Sequence, residues 1–397
     1  MGGPASLMAA FARVPDPRRP EWRRFPLPAV LALSVAAMLA NHLSVLAIAP
    51  WGAAQSREVL AALGFADGIT PHQTTLQRLF RRLNPAPLAA ALTAAAVATP
   101  APGRPAADTD RPSPPACEAV AIDGKAQRGR LVGQDATAQT VQTVSLCRPT
   151  DAVVLAPAPV EASPDGVEAA LTVAPILLAQ LDWRGRVLTG DALYCQRHLC
   201  QQVGDAGGDY LFTVKANQPT VYETIRLLFD PPSDDPTVAP PTDRRTARQV
   251  SKGHGRLEVR ALIAATDVTA YLDWPRLAQV FRLERVWQER GTTQRTVRYG
   301  ITSLDPTTGP PARLLALRRG HWTSENRRHY VCDVTLREDA SRVRRGHGPI
   351  VLAWLRRAAL SLLRRAGQHQ IAARLRFHSG HPEAVLALLG LPLPQRA

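Results

Sequence analysis

Val120-Ala121-Ile122-Asp123-Gly124-Lys125 is a short apolar run that ends in an acid. Apolar residues followed by a turn-prone Asp-Gly read as a buried strand that stops at the carboxylate. Arg186–Leu193, RVLTGDAL, repeats the pattern and ends its strand in Thr189-Gly190-Asp191-Ala192. Between the two, QTVQTVSLC (139–147) and AVVLAPAPV (152–160) read as strands, and Val167–Leu181 as a helix. Beyond them, His198–Gly204 reads as a short helix and Tyr210–Lys215 as a buried strand.

Three strands, a helix, a strand, a helix and a strand is the order of an RNase H-like α/β fold. In that sheet the strands ending at Asp123 and Asp191 lie side by side. Two carboxylates at adjacent strand ends repel unless a cation separates them. Two-metal phosphoryl-transfer sites use such carboxylates to hold ions about 3.5–4 Å apart. Magnesium prefers oxygen ligands, and no His/Cys cluster competes for the role. Cys195, His198 and Cys200 are close in sequence, but no second ligand pair follows at zinc-site spacing.

A third carboxylate must come from elsewhere. His321-Trp322-Thr323-Ser324-Glu325-Asn326-Arg327-Arg328-His329-Tyr330 supplies a candidate. His321, Glu325, Arg328 and His329 share one helical face by i, i+3 and i+4 spacing. Asp333, Glu338 and Asp339 compete for the same role.

Outside this core, residues 1–98 read as helical, with alanine and leucine at helical spacing in LPAVLALSVAAMLA (27–40), SREVLAALGF (56–65), TTLQRLFRRL (74–83) and APLAAALTAAA (86–96). The segment 70–83 has a Thr or Ser cap, an apolar face at Leu76, Leu79, Phe80 and Leu83, and arginines at Arg78, Arg81 and Arg82. That pattern suits a DNA-contacting helix. Leu27–Ala49 is apolar enough to raise a membrane span, yet Asn41, His42 and Pro28 interrupt it; a buried helical hairpin is the expectation, with no membrane partner. Residues 99–116 read as a Pro/Ala-rich linker. The expected catalytic domain is 117–376, with a β-rich insertion at about 220–305, where RLEVRALIA (256–264), QVFRLERVW (279–287) and TVRYGITSL (296–304) alternate as antiparallel strands. From Pro311 the chain is helical again, and 377–397 reads as a tail.

The 397 residues carry a formal net charge of +15, which favours a polyanionic partner, nucleic acid first. Arginine dominates this excess, and lysine stands only at Lys125, Lys215 and Lys252. All three fall in segments already singled out or in a glycine-rich basic loop, positions suited to phosphate contact. Five scattered cysteines without a signal peptide pattern read as a reduced, cytoplasmic protein.

The ordered set PDPRRP (15–20), TPHQTTLQRLFRRL (70–83), AIDGKAQRGR (121–130), GDALYCQRHL (190–199), GDYLFTVKANQPTVYETI (208–225), KGHGRLEVR (252–260), HWTSENRRHYVCDVTLREDASRVRRG (321–346) and LRRAALSLLRR (355–365) resembles the DDE transposases of bacterial insertion sequences, in the H-repeat-associated, ISAs-type group. The resemblance implies a helical N-terminal domain that helps bind DNA and an RNase H-like catalytic domain. It implies Asp123, Asp191 and Glu325 as catalytic metal ligands for two Mg²⁺ ions, with Mn²⁺ as an alternative. It implies strand cleavage and strand transfer at terminal repeats, no covalent enzyme intermediate, and a homodimer on double-stranded DNA at the nucleoid. DNA contacts are expected at Lys125, Arg128, Lys215, Asn217, Gln218, Lys252, His254, Arg256 and Arg328, together with Arg78, Arg81 and Arg82. A decayed or domesticated DNA-binding copy, or an RNase H-fold nuclease without integration, are the rival readings. The chain departs from the family at Ser324, at Arg328-His329-Tyr330, at the ASPDG before the Val167 helix, and at Gly190, where the strand before the second acid usually ends in Ile or Thr.

Overall fold

The computed structural model describes residues 7–97, 117–131, 139–160, 166–232, 241–253, 256–289 and 292–391. The linker expected at 99–116 lies outside them. The protein is mixed α/β and divides into two compact units, one of 1–108, 124–173 and 324–397, the other of 109–123 and 174–323.

The first unit opens with six helices: α1 (Leu7–Ala12), α2 (Leu27–Leu39), α3 (Val45–Ala53), α4 (Arg57–Ala62), α5 (Gln73–Arg82) and α6 (Pro85–Val97). Every residue of α2 except Pro28 is buried, and its one hydroxyl, on Ser34, donates back to the Val30 carbonyl at 2.8 Å. A helix that is apolar all round belongs at the centre of a core. Pro20–Leu39 is thus long and apolar enough to cross a membrane by composition, while two-thirds of that window is buried inside the protein. Asn41, in the left-handed region at φ 68°, turns the chain between α2 and α3. Helix α5 buries Leu76, Leu79 and Phe80 and exposes Arg78, Arg81 and Arg82. Its cap is His72, whose ring accepts from the Thr74 amide at 3.4 Å, and not the Thr or Ser cap expected from the sequence.

Strand β1 (Glu118–Leu131) runs through the division between the units. Its second half belongs with β2 (Gln139–Arg148) and β3 (Val153–Val160), which pair antiparallel. After α7 (Gly166–Leu178), the second unit builds a sheet on the first half of β1. Strands β4 (Arg186–Gly190) and β5 (Asp209–Val214), separated by α8 (Arg197–Asp205), extend it in parallel: β1 pairs β4, and β4 pairs β5. All of β4 and β5 beyond the first residue of each is buried, as expected of parallel strands covered on both faces.

Following α9 (Pro219–Phe229), the strands β6 (Arg245–Gly253), β7 (Arg256–Ala265), β8 (Gln279–Glu289) and β9 (Thr292–Thr302) form an antiparallel run. The region read as an insertion does not make a separate layer: β9 pairs antiparallel with β5, so the four strands continue the same sheet. Strand β6 escapes the sequence pattern because RTARQVSKG has almost no apolar face to alternate.

Helix α10 (Pro311–Tyr330) packs its first turns, through Leu314, Leu315 and Leu317, on Val187, Leu211 and Phe281 of the second unit's sheet. It runs into a π-helical turn, Val331–Thr335. Helices α11 (Gly348–Arg365), α12 (Ile371–Ser379) and α13 (Pro382–Leu388) then return to the first unit's core, where Trp354 and Leu355 join Leu31, Leu33 and Phe80. The stretch read as a tail carries the end of α12 and all of α13, and Val385, Leu386 and Leu389 are buried in that core.

Candidate active site

The parallel register sets the site. Ala119 lies opposite Val187, Val120 opposite Leu188, and Ala121 opposite Thr189. Carried two residues further, it brings Asp123 level with Asp191, which directly follows the last residue of β4. Strand β1 does not stop at its acid, as the Asp-Gly pair suggests, but continues through it to Leu131. Ligands in open α/β sheets bind outside the C-terminal ends of parallel strands, where Asp191 stands. The Asp191 side chain is 59% exposed, open to an incoming cation, and Asp123 is half-buried. Asp191 also stands at the N-cap position of a 3-10 turn, Ala192–Tyr194, without a capping hydrogen bond from its side chain.

Gly190, the residue before the second acid, follows from packing. A Cβ there would meet Phe212 Cε1 at 2.7 Å and Ile122 Cγ2 at 2.9 Å, both closer than side chains tolerate. Those two side chains come from β5 and β1, the strands flanking β4, and both are fully buried. The strand end is therefore narrowed to glycine by its neighbours on both sides.

Two groups that sequence reasoning gave no role at the acids stand beside Asp191, both from α10. His321 is buried, and its Nε2 lies 4.0 Å from Asp191 Oδ1 while Nδ1 is 3.4 Å from the Thr189 hydroxyl. Arg318, one turn earlier, is fully buried and donates to the Gly190 carbonyl at 3.3 Å. Burial pushes its pKa down to about 10, while the negative charge of Asp191 works the other way. Its Nη2 hydrogen-bonds nothing among the described residues. The only sequence signal for Arg318 is its i, i+3 spacing to His321, which a run of surface arginines would show equally.

Glu325 lies on α10 one turn beyond His321 and seven residues beyond Arg318, so the three occupy one stripe of the helix. The side chains of 322–328, including Glu325 and Arg328, lie outside the described residues, as do those of Arg128 and Arg256 and all of His254.

The other sequence-derived positions have varied surroundings. Asn217 donates to the Ala192 carbonyl at 2.8 Å, and Gln218 to the Cys195 carbonyl at 3.1 Å. Both brace the loop after Asp191 from the turn following β5. Lys215, in that same turn, and Lys252, near the end of β6, are exposed. Lys125 is buried; its ammonium is engaged by Asp333 and stands 3.5 Å from Glu338. Two of the competing third acids are therefore committed to a lysine. Cys195 and Cys200 are buried beside an exposed His198, and burial pushes the Cys195 thiol well above its usual range and Cys200 up to about 12.

Comparison with known proteins defines the class. The transposase DDE domain matches residues 118–362, and the DDE transposase-associated domain matches 8–95. The first of these covers more than half of the chain, so the protein belongs to the transposase DDE domain family. Among curated relatives, "Putative transposase YncI" of Escherichia coli O157:H7 is 29% identical over 62% of this chain and 62% of its own length. "H repeat-associated putative transposase YhhI" of Escherichia coli K12 is 29% identical over 49% of this chain and 51% of its own. The chain thus spans about half to two-thirds of the length of these relatives. A protein from Xanthobacter autotrophicus, encoded in the dhlA 3′ region, is 27% identical over 74% of this chain and 92% of its own. Among solved structures, the piggyBac transposase synaptic complex with hairpin DNA superposes with a TM-score of 0.42 at 11% identity, covering 97% of this chain and 78% of that one, too distant to transfer any feature.

Proposed function

We propose that the protein is a DNA transposase that cleaves and transfers strands of an insertion sequence by a DDE mechanism, with Asp123, Asp191 and Glu325 as its carboxylates. The observation that carries the reading is the parallel β1–β4 register, paired up to Ala121 and Thr189, two residues before each of the two acids. The α10 stripe of Arg318, His321 and Glu325 supports the third. The parallel β1, β4 and β5 beside an antiparallel β2–β3 pair support an RNase H-like catalytic core.

The donor set fits hard divalent cations: carboxylate oxygens, one of them well exposed, with no His/Cys cluster among the described residues to draw a softer metal. Two Mg²⁺ ions held by the three acids would activate the attacking hydroxyl and stabilise the leaving oxygen. The chain's own residues orient the ligands. Arg318 fixes the Gly190 carbonyl next to Asp191, His321 flanks the Asp191 carboxylate, and Asn217 and Gln218 hold the loop behind it.

Phosphate contact falls to exposed cations: Lys215 and Lys252, and Arg78, Arg81 and Arg82 on α5. In the first unit a groove of about 1000 Å³ is lined by Arg337, Arg342 and Arg376 with Tyr330, Val334 and Leu46, and by Gln77 on the same α5 face as Arg81. None of its described lining residues is an acid. Such a surface suits the backbone of a duplex, and a dimer on paired element ends, acting in the cytoplasm at the nucleoid, completes the reading.

The test is a supercoiled plasmid carrying the gene with its own flanking DNA. Asp123→Asn and Asp191→Asn are each expected to cut Mg²⁺-dependent cleavage below about one hundredth of wild type, since residues merely supporting metal ligands already cost 10–100-fold. DNA binding should persist. Undiminished cleavage by either variant would refute the assignment.

A further inference from the structure

The sequence points Lys125 at DNA, and it lies instead inside a ring of buried charges. Its ammonium is paired with Asp333 and, at 3.5 Å, with Glu338. Glu338 is almost wholly buried, and neither of its oxygens makes a hydrogen bond among the described residues. Arg357 Nη2, on α11, approaches it at 3.9 Å. The same guanidinium donates to the Thr143 hydroxyl at 2.8 Å and the Ser145 hydroxyl at 3.3 Å, both on β2. Thr143 in turn donates to the Lys125 carbonyl at 3.4 Å. Lys125 is thus gripped at both ends, by its ammonium and by its backbone.

A carboxylate buried with two cations and no hydrogen bond is costly. Replacing such groups by apolar ones of similar volume is commonly neutral or stabilising. Stability alone therefore does not account for the arrangement. Its sequence positions do: Lys125 stands two residues after Asp123, and Asp333 lies in the π-helical turn that directly follows α10, the helix carrying Glu325.

We infer that Lys125, Glu338 and Arg357 are positioning residues, an ion ring that fixes the strand beyond Asp123 and the turn beyond the Glu325 helix so that both acids meet the strict ligand geometry of Mg²⁺. The inference rests on the DDE reading above. Magnesium demands near-octahedral oxygen placement, so a small slip of either segment registers first as lost metal affinity.

The experiment uses the full chain, the plasmid described above, and three variants: Lys125→Met, Glu338→Gln and the double Lys125→Met/Glu338→Gln. Thermal unfolding reports stability, the Mg²⁺ concentration for half-maximal cleavage reports function, and electron paramagnetic resonance of Mn²⁺ bound to the protein–DNA complex reports metal binding directly. Each single variant is expected to raise the half-saturating Mg²⁺ and weaken Mn²⁺ binding by about 10–100-fold. In the double variant Lys125 and Glu338 no longer leave each other unpaired, although Asp333 and Arg357 keep their charges, so its melting temperature recovers in part while metal binding stays weak. Glu338→Gln keeps shape and decides the matter if Lys125→Met fails to fold. Recovery of metal binding together with melting temperature in the double variant would make the ring structural only. Unchanged metal binding with weakened plasmid binding in Lys125→Met would return Lys125 to DNA contact. Asp123→Asn is the control that separates the two readings. If it binds Mn²⁺ as wild type does, the DDE assignment is what fails; if it loses Mn²⁺ and the ring variants do not, the inference fails alone.

Discussion

Gly190→Ala tests the geometry of the acid pair without touching an acid. A Cβ at position 190 would sit 2.7 Å from Phe212 Cε1 and 2.9 Å from Ile122 Cγ2. Carbon atoms settle at about 3.5–4.0 Å, so the added methyl is roughly 0.6–1.3 Å too close on both sides at once. Neither neighbour can swing into solvent, since both are fully buried. Overpacking of this kind costs about 1–3 kcal/mol. Against it, replacing glycine by alanine at an accommodating site gains about 0.4–1 kcal/mol from the unfolded chain. The net expectation is a loss of roughly 1–2 kcal/mol, or about 2–8 °C in melting temperature for a unit of this size. The strands must also spread just before Asp123 and Asp191, so plasmid cleavage should fall further than stability explains. Phe212→Leu removes the closer of the two atoms. In a double-mutant cycle followed by circular dichroism, Gly190→Ala should cost less in the Phe212→Leu background, with a coupling on the order of 1 kcal/mol. A Gly190→Ala protein as stable as wild type, or an equal penalty in both backgrounds, would refute the packing argument.

Other outcomes follow from the same geometry. Arg318→Met removes a buried charge with one 3.3 Å hydrogen bond and an unpartnered Nη2, an orphan that costs about 1–3 kcal/mol. Urea unfolding should show stability unchanged or raised while cleavage drops, and a large destabilisation would contradict it. Changing Arg78, Arg81 and Arg82 to Gln should weaken plasmid binding and reduce the slope of log affinity against log salt by up to about 3, roughly 0.9 for each phosphate no longer neutralised; an unchanged slope would remove α5 from the interface. Burial works to raise the Glu338 pKa, but Arg357, Lys125 and Arg356 outweigh it and hold the carboxyl below its ordinary 4.5. A depressed pKa gives stability that is complete above 4.5 and is lost as pH falls through the lower folded value. Urea midpoints measured from pH 7 to 3 should therefore fall less steeply in Glu338→Gln than in wild type.

What the sequence disclosed divides along a physical line. Strands β4 and β5, helix α8 and the exposed arginines of α5 follow from local rules of period, capping and apolar runs, which a single segment states for itself. Strand β6 does not, because a half-exposed edge strand of polar residues carries no apolar alternation. The site divides in the same way. Asp123 and Asp191 stand out as candidates because each ends its own apolar run, and the parallel β1–β4 register runs toward both. Lys125 misleads because its partners lie 208 and 213 residues away, on a π-helical turn and the segment after it that no local pattern announces. A lysine two residues from a candidate acid reads as a phosphate ligand when only its neighbours are known; the structure turns its ammonium to two distant carboxylates instead. Arg318 teaches the converse. Its burial depends on α10 settling over the ends of β4, so the sequence shows only one more arginine in a basic helix. Candidate acids can thus be picked from local apolar runs alone, whereas the buried charges packed around them become visible only when segments far apart in the chain are brought together.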